Sequence, residues 1–250
     1  MWMKLVFFGP SYQKTLSAAS QAVHGIKNSK ERIAVSLTSR LIGDKLKPWA
    51  IAKSSNPRCF KNIDKTKLPV KYRNNKKAWM NAMTFQEYIQ DFNEQMRKQN
   101  WKVLLLIDNA SLHCKLNLSH ITIKFYTPNC TSKLQPLDQG IIKAFKGYYK
   151  HLLVNKLIDE IDYPGTNKAN MYDAISWIDS AWKKVSPKTI SNCFARDGHK
   201  RLGDLKAELC GKETSVLVSE LTDLLQTRNE ILNVNIDDLI NYDNDIPTKE

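Results

Sequence analysis

The 250-residue sequence predicts an α/β fold, a mixed sheet flanked by helices. Three observations predict it. Residues 31–54 alternate apolar and polar positions around a turn, as a half-buried hairpin does. Residues 103–107, "VLLLI", are apolar without alternation, as a parallel strand covered on both faces is. Segments near 84–100, 139–157 and 170–186 carry apolar residues at three- and four-residue steps, the stripe with which helices cover a sheet.

The elements follow in order. In the hairpin, Ile33, Val35 and Leu37 alternate with smaller or polar residues, "IGDK" supplies the turn, and "LKPWAIAKS" returns. Pro48 cannot donate to a ladder, so it weakens the returning strand or places it at an edge. The basic stretch 56–79 reads as an irregular connection. The helix over 84–100 buries Phe85, Tyr88, Ile89, Phe92 and Met96, with Thr84 and Glu87 in capping-box spacing. Residues 121–128 alternate and form a second strand. A long helix starts near Gln139, with Ile142, Phe145, Tyr149, Leu152, Leu153 and Leu157 inward. The next helix, over 170–186, turns Ala174, Ile178, Ala181, Trp182 and Val185 inward; its tryptophan stripe reads as core rather than as a binding box. Ser186 caps a short following helix, with Pro187 at its first position. Beyond about residue 205 one helix, residues 214–228, and an acidic tail remain. The expected division is therefore a domain over 1–205 and a helix with a partly disordered tail over 206–250.

Composition narrows the function. The chain carries 38 Lys/Arg against 25 Asp/Glu, a net charge of +13. Residues 211–250 hold 3 basic and 9 acidic side chains, so residues 1–210 carry +19 and the tail −6. A body this basic favours an anionic partner, with DNA the first expectation and a solvated lysine-rich surface the plain one. Five cysteines, none in C-x₂-C spacing, argue against a disulfide framework or zinc ribbon and for a reducing compartment. No run is long and apolar enough for a membrane helix or a signal peptide. Nucleotide-loop and zinc-protease motifs are absent, and His24, His120, His151 and His199 have no consistent metal spacing.

Two carboxylates stand apart. Residues 95–158 contain ten Lys/Arg but only Asp108 and Asp138. Asp108 directly follows the "VLLLI" strand, and Asp138 precedes the first turn of the long helix. Ligand sites in open α/β sheets lie beyond the carboxyl ends of strands. Two carboxylates there suit a hard divalent cation that shares its shell with phosphate, while neighbouring Lys/Arg hold a phosphodiester backbone. A plainer reading stays open: "DN" is a turn signal, and an aspartate at a helix start is favourable by itself. Basic "KYRNNKK", with Lys71, Arg73, Lys76 and Lys77, is either a phosphate-binding or nuclear-import patch or a solvated loop.

The words around both aspartates carry a resemblance. "LLLIDNASLH", "YTPNCTSKLQPLDQGIIKAFKGYY" and "SKERIAVSL…KLKPWAIAKSSNPRCFKN" are similar to the DDE superfamily endonuclease domain, above all in pogo- and Tigger-type transposases and their jerky and centromere protein B-like relatives. "LPVKYRNNKKAWM" and "AWKKVSPKTISNCF" fit the same pattern, and the resemblance runs from about residue 2 to about residue 205. It implies an RNase H-like fold, a nuclear DNA-acting protein, and three acids that bind two Mg²⁺ (or Mn²⁺). Asp108 matches the second acid and Asp138 the third, so both are the expected catalytic and metal-binding residues. Asn109 and His113 belong to the motif around the second acid, and His113 is given a supporting role at most. Lys143 and Lys146, on the helix after Asp138, are expected to contact DNA.

The departure from the pattern is equally specific. In the family the first acid lies in a strand reading roughly D-E-T-G, before an aromatic–x–Lys stretch. Here "MWMKLVFFGP" resembles the residues after that acid, and no Asp or Glu occurs before Glu31. The expected chain is thus N-terminally truncated relative to the family, with its first strand missing, incomplete or replaced by residues 2–8. Asp44, in the hairpin turn, and Asp64, in the basic stretch, are poor substitutes. Three functions follow: a transposase-derived DNA-binding chain with impaired catalysis, an active metal-dependent endonuclease if the chain extends upstream, or a non-catalytic interaction scaffold. A homodimer is a further expectation; a membrane partner is not.

Overall fold

The computed structural model describes residues 2–8, 30–107, 118–125, 136–163 and 168–196. The helix expected over 214–228, the acidic tail and the boundary at residue 205 lie outside them. Two sheets are present. Strands β1 (Trp2–Phe8), β2 (Lys30–Ser36), β3 (Trp49–Ala52) and β4 (Lys71–Asn74) form one sheet in the order β1-β2-β3-β4. β1 and β3 run antiparallel to β2, and β4 runs parallel to β3. Strands β5 (Val103–Ile107) and β6 (Ile121–Phe125) form a parallel pair of their own.

The period of two along β2 and β3 divides the core. Ile33, Val35, Leu37, Ala50 and Ala52 face one way, into a cluster with Phe145, Tyr149, Ile178, Trp182 and Ile190. Ala34, Trp49 and Ile51 face the other way, against Phe85, Tyr88, Ile89 and Ile107. Helices therefore cover both faces. Helix α1 (Ala82–Lys98) lies on the second face; α2 (Ile142–Asp162), α3 (Met171–Lys184) and α4 (Pro187–Arg196) lie on the first. A mixed α/β architecture is thus present as expected.

Several local readings change. The Pro48 expectation fails: β3 is interior, paired on both sides and buried at all four positions. Pro48 sits just before the strand, where it owes no ladder bond, and its carbonyl accepts from Lys71 N at 2.8 Å. The stretch 71–74, expected to be irregular, is strand β4, with Tyr72 buried between flanking residues that are not. Helix α1 starts earlier than expected, with Asn81 as its cap. The Asn81 side chain accepts from Thr84 N and from Thr84 Oγ1 at 2.9 and 2.8 Å. Thr84 is thus a donor to the cap, and Glu87 pairs with Arg73 instead of closing a box. A capping box does form at α3, where Asn170 and Asp173 satisfy each other's backbone N–H. Ser186 caps α4 as expected, accepting from Thr189 N at 3.0 Å.

One lysine fastens the hairpin to the helical layer. Lys45 Nζ donates to the carbonyls of Trp182, Lys183 and Val185 at 2.7–2.9 Å. A cation there meets the negative end of the α3 dipole and satisfies carbonyls the helix leaves bare. Trp182 Nε1 in turn donates to Leu46 O at 2.9 Å. Partial burial holds the Lys45 ammonium below the ordinary lysine range.

Candidate metal site and nucleic-acid surface

A cavity of about 830 Å³ runs between β5, the hairpin end 37–46, α1 and the turn before α2. All five residues of β5 line it, together with Pro136 and Leu137. Leu104 is 58% exposed there despite being apolar, which corrects the expectation of a strand covered on both faces. That lining includes the residue before each of the two expected acids. Ile107, the last residue of β5, immediately precedes Asp108; Leu137 immediately precedes Asp138. Asp108, Asn109 and His113 themselves lie outside the described residues. The backbone of Asp138 lies in a π-helical turn, Leu137–Ile141, that leads into α2.

That turn has a local cause. Gly140 has φ 148° and ψ −21°, a conformation that a Cβ would oppose. It kinks the chain and sets the Asp138 turn off from the regular helix. The signal was present in the sequence as the glycine of "PLDQG", which periodicity alone does not weigh. Arg40 and Trp101 are among the cavity residues that sequence reasoning passed over. The Arg40 guanidinium lies 4.3 Å from the Trp101 ring centre, beside an ion pair with Asp44.

The acids weighed as substitutes are placed differently. Asp44 lines the cavity but is exposed and paired with Arg40. Asp64 caps the turn Lys65–Lys67, accepting from Thr66 N at 2.9 Å and from Thr66 Oγ1 at 2.7 Å. Those hydrogen bonds hold its carboxyl below the ordinary range and explain it structurally.

The basic residues separate into two groups. Lys143, exposed, and Lys146, half-buried, stand three residues apart on the first turns of α2, just after the Asp138 turn. Residues at that spacing share a helix face. Lys71 and Arg73 sit instead on β4, the opposite edge of the four-stranded sheet, and residues 71–77 do not line the cavity. Lys71 pairs with Asp91, and Arg73 Nε donates to Glu87 at 2.7 Å. The Glu87 hydrogen bond raises the Arg73 guanidinium further above its ordinary range. Lys76 and Lys77 are exposed in the turn that follows.

Among the described residues no three His, Cys, Asp or Glu side chains form a metal-binding group. The expected donors are Asp108, outside the described residues, and Asp138, of which only the backbone is described. Two carboxylates fit Mg²⁺, which takes one or two from protein and the rest of its shell from water and phosphate.

Tyr88 lines the same cavity, its hydroxyl bonded to Thr38 Oγ1. Burial pushes its phenol up to about 12 against an ordinary 10.0, with the Thr38 bond opposing. Between about pH 10 and pH 12 the unfolded chain releases this proton and the folded chain keeps it. Rising pH therefore favours unfolding. Over that window Tyr88→Phe is expected to lose stability less steeply than the parent, by up to ~1.4 kcal/mol per pH unit. Urea titrations at stepped pH read the slope; parallel curves would refute the assignment.

Comparison with known proteins agrees with the motifs. The family described as DDE superfamily endonuclease matches residues 30–194. The chain belongs to this family. The DDE chain is 31% identical over 174 residues to "Tigger transposable element-derived protein 4" of Mus musculus, covering 69% of itself and 34% of that protein. It is 31% identical to "CENP-B homolog protein 2" of Schizosaccharomyces pombe, over 73% of itself and 38% of that protein. It is 30% identical to "Jerky protein homolog" of Homo sapiens, over 66% of itself and 30% of that protein. The DDE chain thus spans about a third of the length of these relatives. No solved structure matches it significantly. Among the described residues no helix is long and apolar enough to cross a membrane.

Proposed function

We propose that this chain is a nuclear, transposase-derived DNA-binding protein with an RNase H-like core and impaired DNA cutting. One observation carries the reading. The only two carboxylates of residues 95–158, set among ten Lys/Arg, each follow a residue that lines one cavity. Asp108 and Asp138 would hold Mg²⁺ (or Mn²⁺) there, with Asn109 and His113 beside them. The metal would supply a polarised water and charge neutralisation for phosphodiester cleavage. Lys143 and Lys146 carry the phosphate backbone past the site. Lys76 and Lys77 extend a second basic strip, with Lys71 and Arg73 able to reach DNA only by sharing or leaving their carboxylate partners.

Impaired cutting is proposed of the given residues alone, among which none before Glu31 is an Asp or Glu that could join Asp108 and Asp138. Two carboxylates leave more of a dication's charge uncompensated and hold a second ion poorly. The experiment is duplex binding by fluorescence anisotropy across a salt series, beside a plasmid-nicking assay with Mg²⁺. The parent is expected to bind with a steep salt dependence. Lys143→Gln with Lys146→Gln should lower the slope of log K against log[salt] by about 2, close to one per phosphate contact. An unchanged slope would remove these lysines from the interface. Mg²⁺-dependent nicking that Asp108→Ala abolishes would replace impaired cutting with an active endonuclease. Oligomerisation without DNA retention would favour the scaffold.

A further inference from the structure

Helix α4 has an inner face committed to the core and an outer face committed to nothing. Thr189, Ile190 and Cys193 are buried, and Ile190 and Cys193 share a core cluster with Leu137 and Ile141. The helix therefore packs against the Leu137–Ile141 turn that carries the Asp138 backbone. Lys188, Asn192 and Arg196 stand at i, i+4 and i+8, on the side away from that core. Lys188 and Arg196 are exposed, and Asn192 is half-buried.

This outer face lacks the counter-charges its neighbours have. α1 and α3 pair outward cations with acids of their own, Arg97 with Glu94 and Lys183 with Asp179. α4 reads "PKTISNCFAR" and contains no acid. The side chains of Lys188, Asn192 and Arg196 have no hydrogen-bond or ion-pair partner among the described residues. Ser191 is different, since its hydroxyl turns back to Pro187 O at 2.9 Å. Nor does the helix need Lys188, because a cation in the first turn opposes the helix dipole. Arg196, in the last turn, is favourable there. The stripe from Lys188 to Arg196 spans eight residue steps, ~12 Å along the axis, which is close to the width of a B-DNA major groove.

We propose that α4 enters the major groove of DNA lying over the Asp138 turn, where Asn192 and Arg196 read base edges and Lys188 holds a phosphate. The placement presupposes the DNA binding proposed for this chain and adds a sequence preference to it. Arginine presents a fork that matches O6 and N7 of guanine, and the asparagine amide matches N6 and N7 of adenine. Lysine is a point charge that holds phosphate whatever the base. Lys188 stands at the helix end whose dipole also favours an anion. Lys143 and Lys146 follow the same Asp138 turn on α2, so the backbone they hold and the groove α4 enters belong to one duplex.

The test is selection from a randomised duplex library by the full chain, with the retained duplexes sequenced, beside anisotropy across a salt series. The parent is expected to enrich a motif of about three or four base pairs that contains guanine and adenine. Arg196→Ala and Asn192→Ala should each flatten one position, with discrimination there falling by about 5- to 150-fold. Arg196→Lys keeps the charge without the fork, so it should keep the salt slope and lose the guanine preference. Lys188→Gln should lower the slope of log K against log[salt] by about 1 and leave the motif intact. A parent that binds with a steep salt dependence but enriches no motif overturns the placement of α4 and leaves DNA binding standing. So does an identical motif in Asn192→Ala and Arg196→Ala. A parent that retains no duplex overturns both. Should Arg196→Ala fail to fold, Arg196→Lys decides: an unchanged guanine preference overturns the placement, and its loss at constant slope upholds it.

Discussion

Trp49→Ala is expected to lower unfolding stability by about 3–5 kcal/mol, the range for deleting a large buried aromatic side chain. Trp49 is 2% exposed, at the start of interior strand β3. Its ring meets Tyr88 edge-on at 5.5 Å, which ties the sheet to α1. The Arg73 guanidinium lies 4.9 Å from the ring centre and the Lys71 ammonium 6.0 Å away, so β4 leans on the same side chain. Alanine leaves a void between sheet and helix that neither rigid neighbour can close. Domains of this kind are stable by only ~5–15 kcal/mol, so the loss is a large fraction of the whole. Urea unfolding reads it as a fall in midpoint at constant slope. A change under about 1 kcal/mol would show that the site collapses freely. Trp49→Phe, which keeps an aromatic ring against Tyr88, should cost clearly less.

Gly43→Ala is expected to cost about 2–5 kcal/mol, from two sources that add. Gly43 has φ +94°, strained for any residue with a Cβ by ~1–3 kcal/mol. That Cβ would also stand 2.5 Å from Pro187 Cβ and 2.7 Å from Pro187 Cα. Pro187 opens α4 and is rigid, so the helix must move or the turn must open; overpacking of this kind costs ~1–3 kcal/mol. Gly43 lines the cavity, as does Phe194 further along α4, so the strain falls on the candidate site. Gly43→Asn separates the sources. Asparagine tolerates positive φ but still carries a Cβ, so it should recover only the backbone part. Thermal unfolding compares the three chains, and full recovery by asparagine would refute the crowding.

Legibility in the sequence depended on how local each feature is. The stripe of α1 and the alternation of β2 are local, and Phe85, Tyr88, Ile89, Phe92, Ile33, Val35 and Leu37 are all buried as read. Trp182 is core as read, packed 6.3 Å from Phe145. β4 was missed because its sequence is basic. Its one inward residue, Tyr72, is too little for an alternation to show, and the flanking Lys71 and Arg73 are neutralised by Asp91 and Glu87 from α1, well downstream. The capping of α1 was misread by one turn because Asn81 and Thr84 are both good caps, and only packing chooses between them.

The sequence by itself determined which residues alternate, which form helical faces, and that two aspartates stand alone in a basic stretch beside family-specific words. Those are properties of neighbouring residues, fixed by backbone period and residue type. The tertiary structure decided the rest. It made β3 interior, set β4 parallel beside it, brought Ile107 and Leu137 to one cavity, and left one edge of β5 without a strand partner among the described residues. Strand pairing and burial join residues far apart in the chain, so no period in the sequence encodes them.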